Sequence, residues 1–297
     1  LAVDGTVALT TNGSGNATVV NDAGLTFAAS TVGGNLAATA TTGNMTDSGV
    51  LTIAGTSSFT TSANNADITL NNTNALTGAV TLSTTGSTGH ATIDNGTTAF
   101  NVAASSVGGN LTLTSGHASG IIDSSTVTVG GNLVATTDAA NGVITMDGLR
   151  VDGTVQLTTH GSGDATVVND AGLTFLASTV RNLAATATTG DIVDSGVLTI
   201  AGTSSFTTSQ NNADITLDLA NVLTGTVALN TSGAGGNALV DNGITALTLA
   251  ASSVGGTLTV TSGNASGIID SGTVTVGGNL AATTDAGNGL INLGTLA

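Results

Sequence analysis

Several residue types that most folded chains use are missing from this sequence of 297 residues. It has no cysteine, proline, tryptophan or tyrosine, and it has only five phenylalanines. These absences exclude a disulfide framework and a compact core built on bulky aromatic side chains. Because apolar residues still make up 40% of the chain, another arrangement must bury them.

Positive charge is almost absent as well. The chain has two arginines and no lysine against 18 acidic residues, all of them aspartate, so its formal net charge is −16. This excludes nucleic acid as a partner and attraction to an anionic membrane, because both need clustered basic side chains. No apolar run is long enough for a membrane-spanning helix, so we expect no membrane insertion.

What the sequence does contain is a tandem copy of itself. Residues 3–150 are repeated almost letter for letter at 151–297. The composition does not change at Arg150, where a linker between two domains would stand. We therefore predict one continuous β-solenoid over 1–297 with an internal tandem repeat, 3–150 and 151–297.

A shorter period lies inside each copy, where a glycine or its equivalent precedes an alternating run. The starts of these runs are 21 to 31 residues apart: Gly5, Gly34, Gly55, Gly78, Gly109, Gly131, Gly153, Arg181, Gly202, Gly225, Gly256 and Gly278. Each unit divides into three short strand-like pieces separated by turns, and no window carries a helical apolar stripe. The pattern predicts an all-β fold, a right-handed parallel β-helix of about 12 coils with three short strands each. Two tandem β-sandwiches are the alternative.

Stacked coils place equivalent residues above one another, so we expect ladders of like residues. One interior column is expected to contain Leu36, Leu111, Leu133, Leu183, Leu258 and Leu280. An inward or turn-side hydrogen-bonding ladder is expected to contain Asn35, Asn110, Asn132, Asn182 and Asn279. Glycine pairs should allow positive φ or close coil contact at Gly33, Gly108, Gly130, Gly255 and Gly277. Phenylalanines should fill wider coils at the equivalent pairs Phe59 and Phe206, and Phe27 and Phe175.

The basic residues are candidates for chemistry, and the internal copy tests them. They are His90, His117, His160, Arg150 and Arg181. At the equivalent position of the other copy, each is replaced by asparagine, alanine or glycine. Such replacement is typical of turn and surface residues rather than of a general base or a metal ligand. We therefore predict no catalytic, cofactor-binding or metal-binding residue, and no enzyme activity. A β-helical enzyme acting on polysaccharide is the least favoured alternative.

The aspartates and threonines are interpreted in the same way. Most aspartates recur in both copies, and the four that do not, Asp147, Asp164, Asp191 and Asp218, face glycine or asparagine. This pattern indicates turn formation and solubility, with Ca²⁺ coordination as the minor alternative. Threonines on an outer face favour an ice-binding array as an alternative function. The main prediction rejects it because we expect alanine, serine and asparagine to interrupt the threonine columns.

The VGGNL runs at 107–111 and 129–133, in a cysteine-free background rich in threonine, alanine and asparagine, resemble the repeat regions of filamentous-haemagglutinin-like bacterial adhesins and biofilm-matrix exoproteins. That family is exported by two-partner secretion. The resemblance implies a secreted, rod-forming stalk that passes through an outer-membrane barrel. The predicted function is a non-catalytic extracellular fibre or adhesin stalk at the cell surface. Its expected partners are further repeats or neighbouring copies end to end, the export barrel and matrix polysaccharide.

Overall fold

The computed structural model of the chain describes residues 1–138, 141–285 and 288–294. Within these ranges the chain forms β-strands and no helix, and the strands of successive coils pair in parallel. The all-β prediction is therefore confirmed, as is the parallel β-solenoid, which has about 13 turns in total.

The coils divide into two compact units. Unit 1 comprises residues 1–153 and 159–163, and unit 2 comprises residues 154–158 and 164–297. Each unit is a β-solenoid in which every coil is hydrogen-bonded to the next. Since neighbouring coils supply each other's backbone partners, the fold needs neither a helix nor a large aromatic core.

Unit 1 contains 19 strands. They are β1 (Thr6–Val7), β2 (Ala17–Asn21), β3 (Leu25–Phe27), β4 (Ser30–Val32), β5 (Leu36–Ala40), β6 (Met45–Asp47), β7 (Leu51–Ile53), β8 (Ser57–Asn64), β9 (Ile68–Leu70), β10 (Ala75–Leu76), β11 (Val80–Thr85), β12 (Ala91–Asp94), β13 (Phe100–Val102), β14 (Ser105–Val107), β15 (Leu111–Ser115), β16 (Ile121–Asp123), β17 (Val127–Val129), β18 (Leu133–Thr137) and β19 (Ile144–Val151).

Unit 2 contains the other 19 described strands. They are β20 (Thr154–Thr158), β21 (Ala165–Asn169), β22 (Leu173–Phe175), β23 (Ser178–Val180), β24 (Leu183–Ala187), β25 (Ile192–Asp194), β26 (Leu198–Ile200), β27 (Ser204–Asn211), β28 (Ile215–Leu217), β29 (Val222–Leu223), β30 (Thr226–Ser232), β31 (Ala238–Asp241), β32 (Leu247–Leu249), β33 (Ser252–Val254), β34 (Leu258–Ser262), β35 (Ile268–Asp270), β36 (Val274–Val276), β37 (Leu280–Thr284) and β38 (Ile291–Asn292).

Long sheets run along each unit. In unit 1, sheet 1 contains β1, β3, β6, β9, β12, β15 and β18, and sheet 2 runs from β2 through β5, β8, β11, β13 with β14, and β16 with β17 to β19. Sheet 3 contains β4, β7 and β10. In unit 2, sheet 1 contains β20, β22, β23, β25, β26, β28, β29, β31, β34 and β37, and sheet 2 contains β21, β24, β27, β30, β32, β33, β35, β36 and β38. A coil such as β3, β4 and β5 has the three short strands that the sequence predicts.

Alternation along each strand decides which side chains are buried. In β15, Leu111 and Leu113 are buried, while Thr112 and Thr114 point outward and are half-buried. All five phenylalanines are fully buried in the interior, and the prediction that they fill wider coils stays a prediction. A narrow interior of valine, leucine and isoleucine thus replaces a globular core, with each coil resting on the next.

The prediction of a single leucine column is wrong. In sheet 1 of unit 1, Leu111 pairs with Leu133, whereas Leu36 lies in sheet 2 between Ala17 and Ser57. In unit 2, Leu258 pairs with Leu280 in sheet 1, and Leu183 lies in sheet 2. The leucines therefore belong to two different sheets in each unit.

The cause is the length of the longest interval between run starts. One coil takes 23 residues from Ser57 to its partner Val80. The 31 residues from Gly78 to Gly109 therefore span about one and a half coils rather than one. The run after Gly78 enters sheet 2 and the run after Gly109 enters sheet 1. This half coil also explains why the structure has more turns than the sequence predicts.

The glycine pairs mark places where two coils touch. A Cβ atom at Gly33 would lie 1.7 Å from the carbonyl oxygen of Gly13, and one at Gly130 would lie 2.5 Å from that of Gly108. None of the five predicted positions has a positive φ. The close-contact alternative is therefore confirmed, and the positive-φ alternative is wrong at these positions.

A buried serine hydroxyl without a partner gives a stability prediction. Ser57 is 2% exposed, lies between Leu36 and Val80, and its Oγ makes no hydrogen bond within the described residues. Ser57→Ala should stabilise unit 1 by about 0.5–1 kcal/mol, because it removes an unsatisfied buried polar group. Chemical denaturation followed by circular dichroism measures this change. The equivalent Ser204→Ala should shift unit 2 in the same direction, and destabilisation by either variant would contradict the prediction.

Candidate functional site: polar ladders along the coil corners

A ladder of side-chain acceptors runs along one corner of unit 1. Asn44 Oδ1 accepts a hydrogen bond from the backbone N–H of Asp67 at 2.9 Å, and Asp67 Oδ1 accepts from His90 N–H at 2.8 Å. The His90 Nδ1 atom accepts from Asn110 N–H at 2.8 Å, and Asn110 Oδ1 accepts from Asn132 N–H at 2.9 Å. Each rung bonds its coil to the next coil, which makes the corner a continuous polar seam.

Unit 2 carries an equivalent seam. Asp191 Oδ1 accepts from Asp214 N–H at 2.8 Å, Asp214 Oδ1 accepts from Asn237 N–H at 2.7 Å, and Asn237 Oδ1 accepts from Thr257 N–H at 2.8 Å. Aspartate, asparagine and histidine all fill this position because each offers an acceptor at the same distance from its backbone. Exchange between the copies therefore follows from a shared structural role.

Other ladder positions give the outcome for the predicted asparagine slot. Asn35 Oδ1 accepts from Thr56 N–H at 2.9 Å, and Asn182 Oδ1 accepts from Thr203 N–H at 2.7 Å. Asn35 and Asn110 are exposed, Asn182 is half-buried, and all three lie outside the strands, just before one begins. The turn-side alternative is therefore confirmed and the inward alternative is wrong for these three residues. For Asn279, the hydrogen bond to the neighbouring coil is made by its backbone oxygen, which accepts from Leu258 N–H.

A second set of aspartates holds the turn of the following coil. Asp194 accepts hydrogen bonds from the backbone N–H groups of Asp218 and Leu219 and, at 2.7 Å, from the side chain of Asn221. Asp47 makes the equivalent contacts in unit 1, including a bond of 2.8 Å from the side chain of Asn74. These recurring carboxylates join coils, as the predicted turn role requires.

Asp123 belongs to the same set, since it accepts hydrogen bonds from the backbone N–H groups of Asp147 and Gly148, and burial raises the pKa of both Asp194 and Asp123. For Asp194 burial is the largest cause, partly offset by the hydrogen bonds from Asn221, Asp218 and Leu219. For Asp123 burial again raises the pKa most, and the charge of Asp147 adds to it against the backbone hydrogen bonds that lower it. The ionised forms are therefore disfavoured in the folded chain relative to the unfolded chain.

This shift predicts how stability depends on pH. Between the usual value of 3.8 and the raised pKa, the folded state binds more protons than the unfolded state, so the free energy of unfolding should increase as the pH falls through that window from neutral. Denaturation midpoints at constant ionic strength measure the slope. Asp194→Asn should reduce the slope more than Asp4→Asn, an equal loss of charge at an exposed position. Equal slopes in the two variants would contradict the assignment to Asp194.

Buried asparagines form a third set, which the sequence analysis missed. Asn95 is fully buried, and its Oδ1 accepts from Leu76 N–H at 2.8 Å while its Nδ2 donates to the carbonyl oxygens of Leu76 and Ala99, both at 3.1 Å. Asn242 makes the equivalent bonds in unit 2. The signal in the sequence is the run Asp-Asn-Gly at the end of an alternating strand in both copies. There the asparagine side chain bonds backbone groups that would otherwise pair with a neighbouring strand.

The basic side chains lie in separate places. His90 is a ladder rung, and His117 Nδ1 accepts from Ser119 N–H within its own turn at 3.0 Å. His160 Nδ1 donates to the carbonyl oxygen of Thr137 at 2.7 Å. Arg181 lies 3.8 Å from Asp164, with both side chains half-exposed, while Arg150 lies in β19. The structure therefore places these residues at turns and strand surfaces and does not bring them together.

One cavity of unit 1 is lined by two carboxylates. It measures about 460 Å³, and its walls include Asp94, Asp138, Thr73 and Thr97. Asp94 Oδ1 accepts from Gly96 N–H at 2.8 Å. Within the described residues, no group of three or more histidine, aspartate or glutamate side chains is placed to hold a metal ion. The minor Ca²⁺ alternative stays a prediction.

Contrary to expectation, alanine, serine and asparagine do not interrupt one threonine column of unit 1. Six threonines stand in register on consecutive strands of sheet 1: Thr6, Thr26, Thr46, Thr69, Thr92 and Thr112. Val134 ends the column in the last strand of this sheet. The hydroxyl oxygens of Thr26 and Thr46 are 3.0 Å apart. In unit 2, Val193 and Leu239 interrupt the equivalent column. The intact column could not be found from the sequence because the run starts mark different sheets in the two halves of a copy.

A family model matches much of the chain. Three stretches of the chain, 14–83, 162–230 and 235–297, match a family described as repeats of unknown function, DUF5649. No curated protein and no solved structure matches the chain. In the described residues, no helix has the length and apolar character needed to cross a membrane.

Proposed function

The chain belongs to the family of repeats of unknown function, DUF5649, and we propose that it is a structural segment of an extracellular fibre or adhesin stalk. In this proposal the protein is secreted, remains at the cell surface or in a biofilm matrix, and carries out no catalysis. Its work is mechanical, because it spans distance and presents a surface of hydroxyl and amide groups.

The observation that carries this proposal is the bonding of each coil to the next through its corners. Ladder residues such as Asn44 and Asp67, and carboxylates such as Asp47 and Asp194, all bond to the backbone of the following coil. These polar side chains therefore bond successive coils to each other along the coil axis and do not converge on a shared cleft. Such a unit gains stability by adding coils, which suits a stalk of variable length.

The proposed partners follow from the same bonding. Further repeats of the chain, or neighbouring copies, would join end to end through strand pairing of the kind that joins β15 to β18. Export through an outer-membrane barrel and attachment to matrix polysaccharide complete the proposal. Both rest on the resemblance to filamentous-haemagglutinin-like exoproteins.

Surface labelling of the producing cells tests the proposal directly. An antibody raised against this chain should label intact cells or their matrix, and electron microscopy of the released full-length protein should reveal fibres. Deleting the coding region should reduce adhesion, while re-expression should restore it. Labelling only after cell lysis, or compact particles in place of fibres, would reject the proposal.

Ice binding is a second candidate function, and the unbroken threonine column of unit 1 favours it. The register of the strands from Thr6 to Thr112 places one threonine on each successive coil, which gives a regular outer surface for ordering water. Purified chain should then show thermal hysteresis. Replacing Thr46 by Val and Thr92 by Leu, as at Val193 and Leu239, should remove the hysteresis without unfolding the chain. No hysteresis in the unaltered chain would reject this function.

A further inference from the structure

Two neighbouring columns on the outer side of sheet 2 in unit 1 carry no carboxylate. The first column is Thr18, Ala37, Ser58 and Thr81. The second column is Val20, Thr39, Thr60, Ser83, Ser106 and Thr128, and the next residue in its register is Arg150. None of the 18 aspartates stands among these ten residues, which we call the neutral face.

The second copy retains this neutrality although its residues have changed. In sheet 2 of unit 2, Thr81 and Ser83 are replaced by Ala228 and Asn230, which are again small or uncharged. At the coil corners, by contrast, the second copy has gained negative charge. Three asparagines of the first copy are replaced there by aspartates at the equivalent positions of the second: Asn16 by Asp164, Asn44 by Asp191 and Asn71 by Asp218. Between the two copies, charge has therefore changed beside the ten residues of the neutral face and not among them.

The neutral face is the surface through which two copies can associate with the least electrostatic repulsion. Two chains of net charge −16 repel each other, and the repulsion is greatest where carboxylates face carboxylates. Small side chains also let a second sheet approach to about 10 Å, the usual distance between packed sheets. We propose that the neutral face of unit 1 packs against the same face of a second copy of this chain.

The shape of the face selects an antiparallel, two-fold arrangement. Val20, at one end of the second column, is 51% exposed. A shallow groove of about 340 Å³ lies at the other end, with Ser83, Ser106 and Thr128 in its walls. A two-fold axis between Thr60 and Ser83 places Val20 of each copy opposite the groove of the other, so the contact is self-complementary.

The size of the face sets the expected strength. Six coils at about 4.8 Å, crossed by strands of about 17 Å, give roughly 500 Å² per copy. This lies at the lower end for specific interfaces, so the dimer should be weak, as suits lateral cohesion between stalks. In that role the inference deepens the proposed function, but dimerisation can be measured whether or not the chain forms a fibre.

Analytical ultracentrifugation of the whole chain tests the inference. We expect a weak dimer that strengthens as salt screens the net charge. Thr60→Asp places two carboxylates beside the two-fold axis and should raise the dissociation constant at least tenfold, which is about 1.4 kcal/mol. The control Thr69→Asp adds the same charge to sheet 1 from an equally half-buried threonine, and it should change the constant by less than about threefold.

Three results would overturn the inference. They are a monomer at every concentration and salt level, equal weakening by both aspartate variants, or no loss of dimer on Val20→Ala. Circular dichroism must first establish that each variant is folded; if Thr60→Asp is not, Val20→Ala alone decides. Failure of dimerisation leaves the stalk proposal standing, because that proposal is tested by surface labelling, whereas an intracellular location would reject the stalk without changing the dimer measurement.

Discussion

Gly120→Ala is expected to destabilise unit 1 by on the order of 4 kcal/mol, enough to unfold several coils. Gly120 has a φ of +61°, and a Cβ atom there would lie 1.8 Å from the carbonyl oxygen of Val143 in the next coil. The added methyl group meets rigid backbone, so the two coils must separate and lose their hydrogen bonds. Circular dichroism during denaturation is the measurement, since the chain lacks tryptophan and tyrosine for fluorescence.

Two control variants separate backbone strain from the clash. Gly13 has nearly the same φ, +60°, but a Cβ atom there meets nothing within 4 Å, so Gly13→Ala should cost only about 1–2 kcal/mol. Gly5→Ala has neither a positive φ nor a close neighbour and should have an effect within about 0.5 kcal/mol. If Gly120→Ala proved no worse than Gly13→Ala, close stacking of the coils would not be the cause.

Asn95→Ala should cost about 3–5 kcal/mol, the largest effect expected from a polar side chain of this protein. The change leaves one backbone N–H and at least two carbonyl groups without the partners that Asn95 supplies, at a place with no exposure to solvent. Each unsatisfied buried group costs about 1–3 kcal/mol. Denaturation midpoints of the variant and the parent chain give the difference.

The exposed ladder supplies the matched control. Asn110 also gives its Oδ1 to the next coil, but water can replace that acceptor when the side chain is removed, so Asn110→Ala should cost only about 0.5–1.5 kcal/mol. Asn242→Ala, at the equivalent buried position of unit 2, should behave like Asn95→Ala. Similar costs at Asn95 and Asn110 would mean that burial is not what makes Asn95 important.

Local patterns in the sequence were enough to predict the fold class. Alternation in runs such as Leu111 to Ser115 fixes which side chains face inward, and glycines such as Gly33 mark contacts between coils. The number of coils could not be predicted from local patterns alone. The motif after Gly78 and the motif after Gly109 look alike, but half a coil separates their sheets, and only strand pairing reveals it.

The polar ladders were partly predictable for a similar reason. Exposed rungs such as Asn35 and Asn110 share a visible slot in the repeat, so the sequence indicates a ladder. Asn95 and Asn74 act at corners where the strand is interrupted, and their partners lie 19 and 23 residues earlier in the chain. Because those spacings vary from corner to corner, the role of these asparagines appears only once the coils are stacked.

The half coil between Gly78 and Gly109 also shows what sets the inside and the outside of this chain. It moves the next alternating run from sheet 2 to sheet 1, yet Leu111 and Leu113 are still buried and Thr112 and Thr114 still point outward. The facing of a side chain is therefore set by the two-residue alternation within its strand and not by the sheet that the strand joins. Turns between runs can differ in length by part of a coil without harm, whereas a single residue inserted within a run would expose the apolar side chains that follow it there.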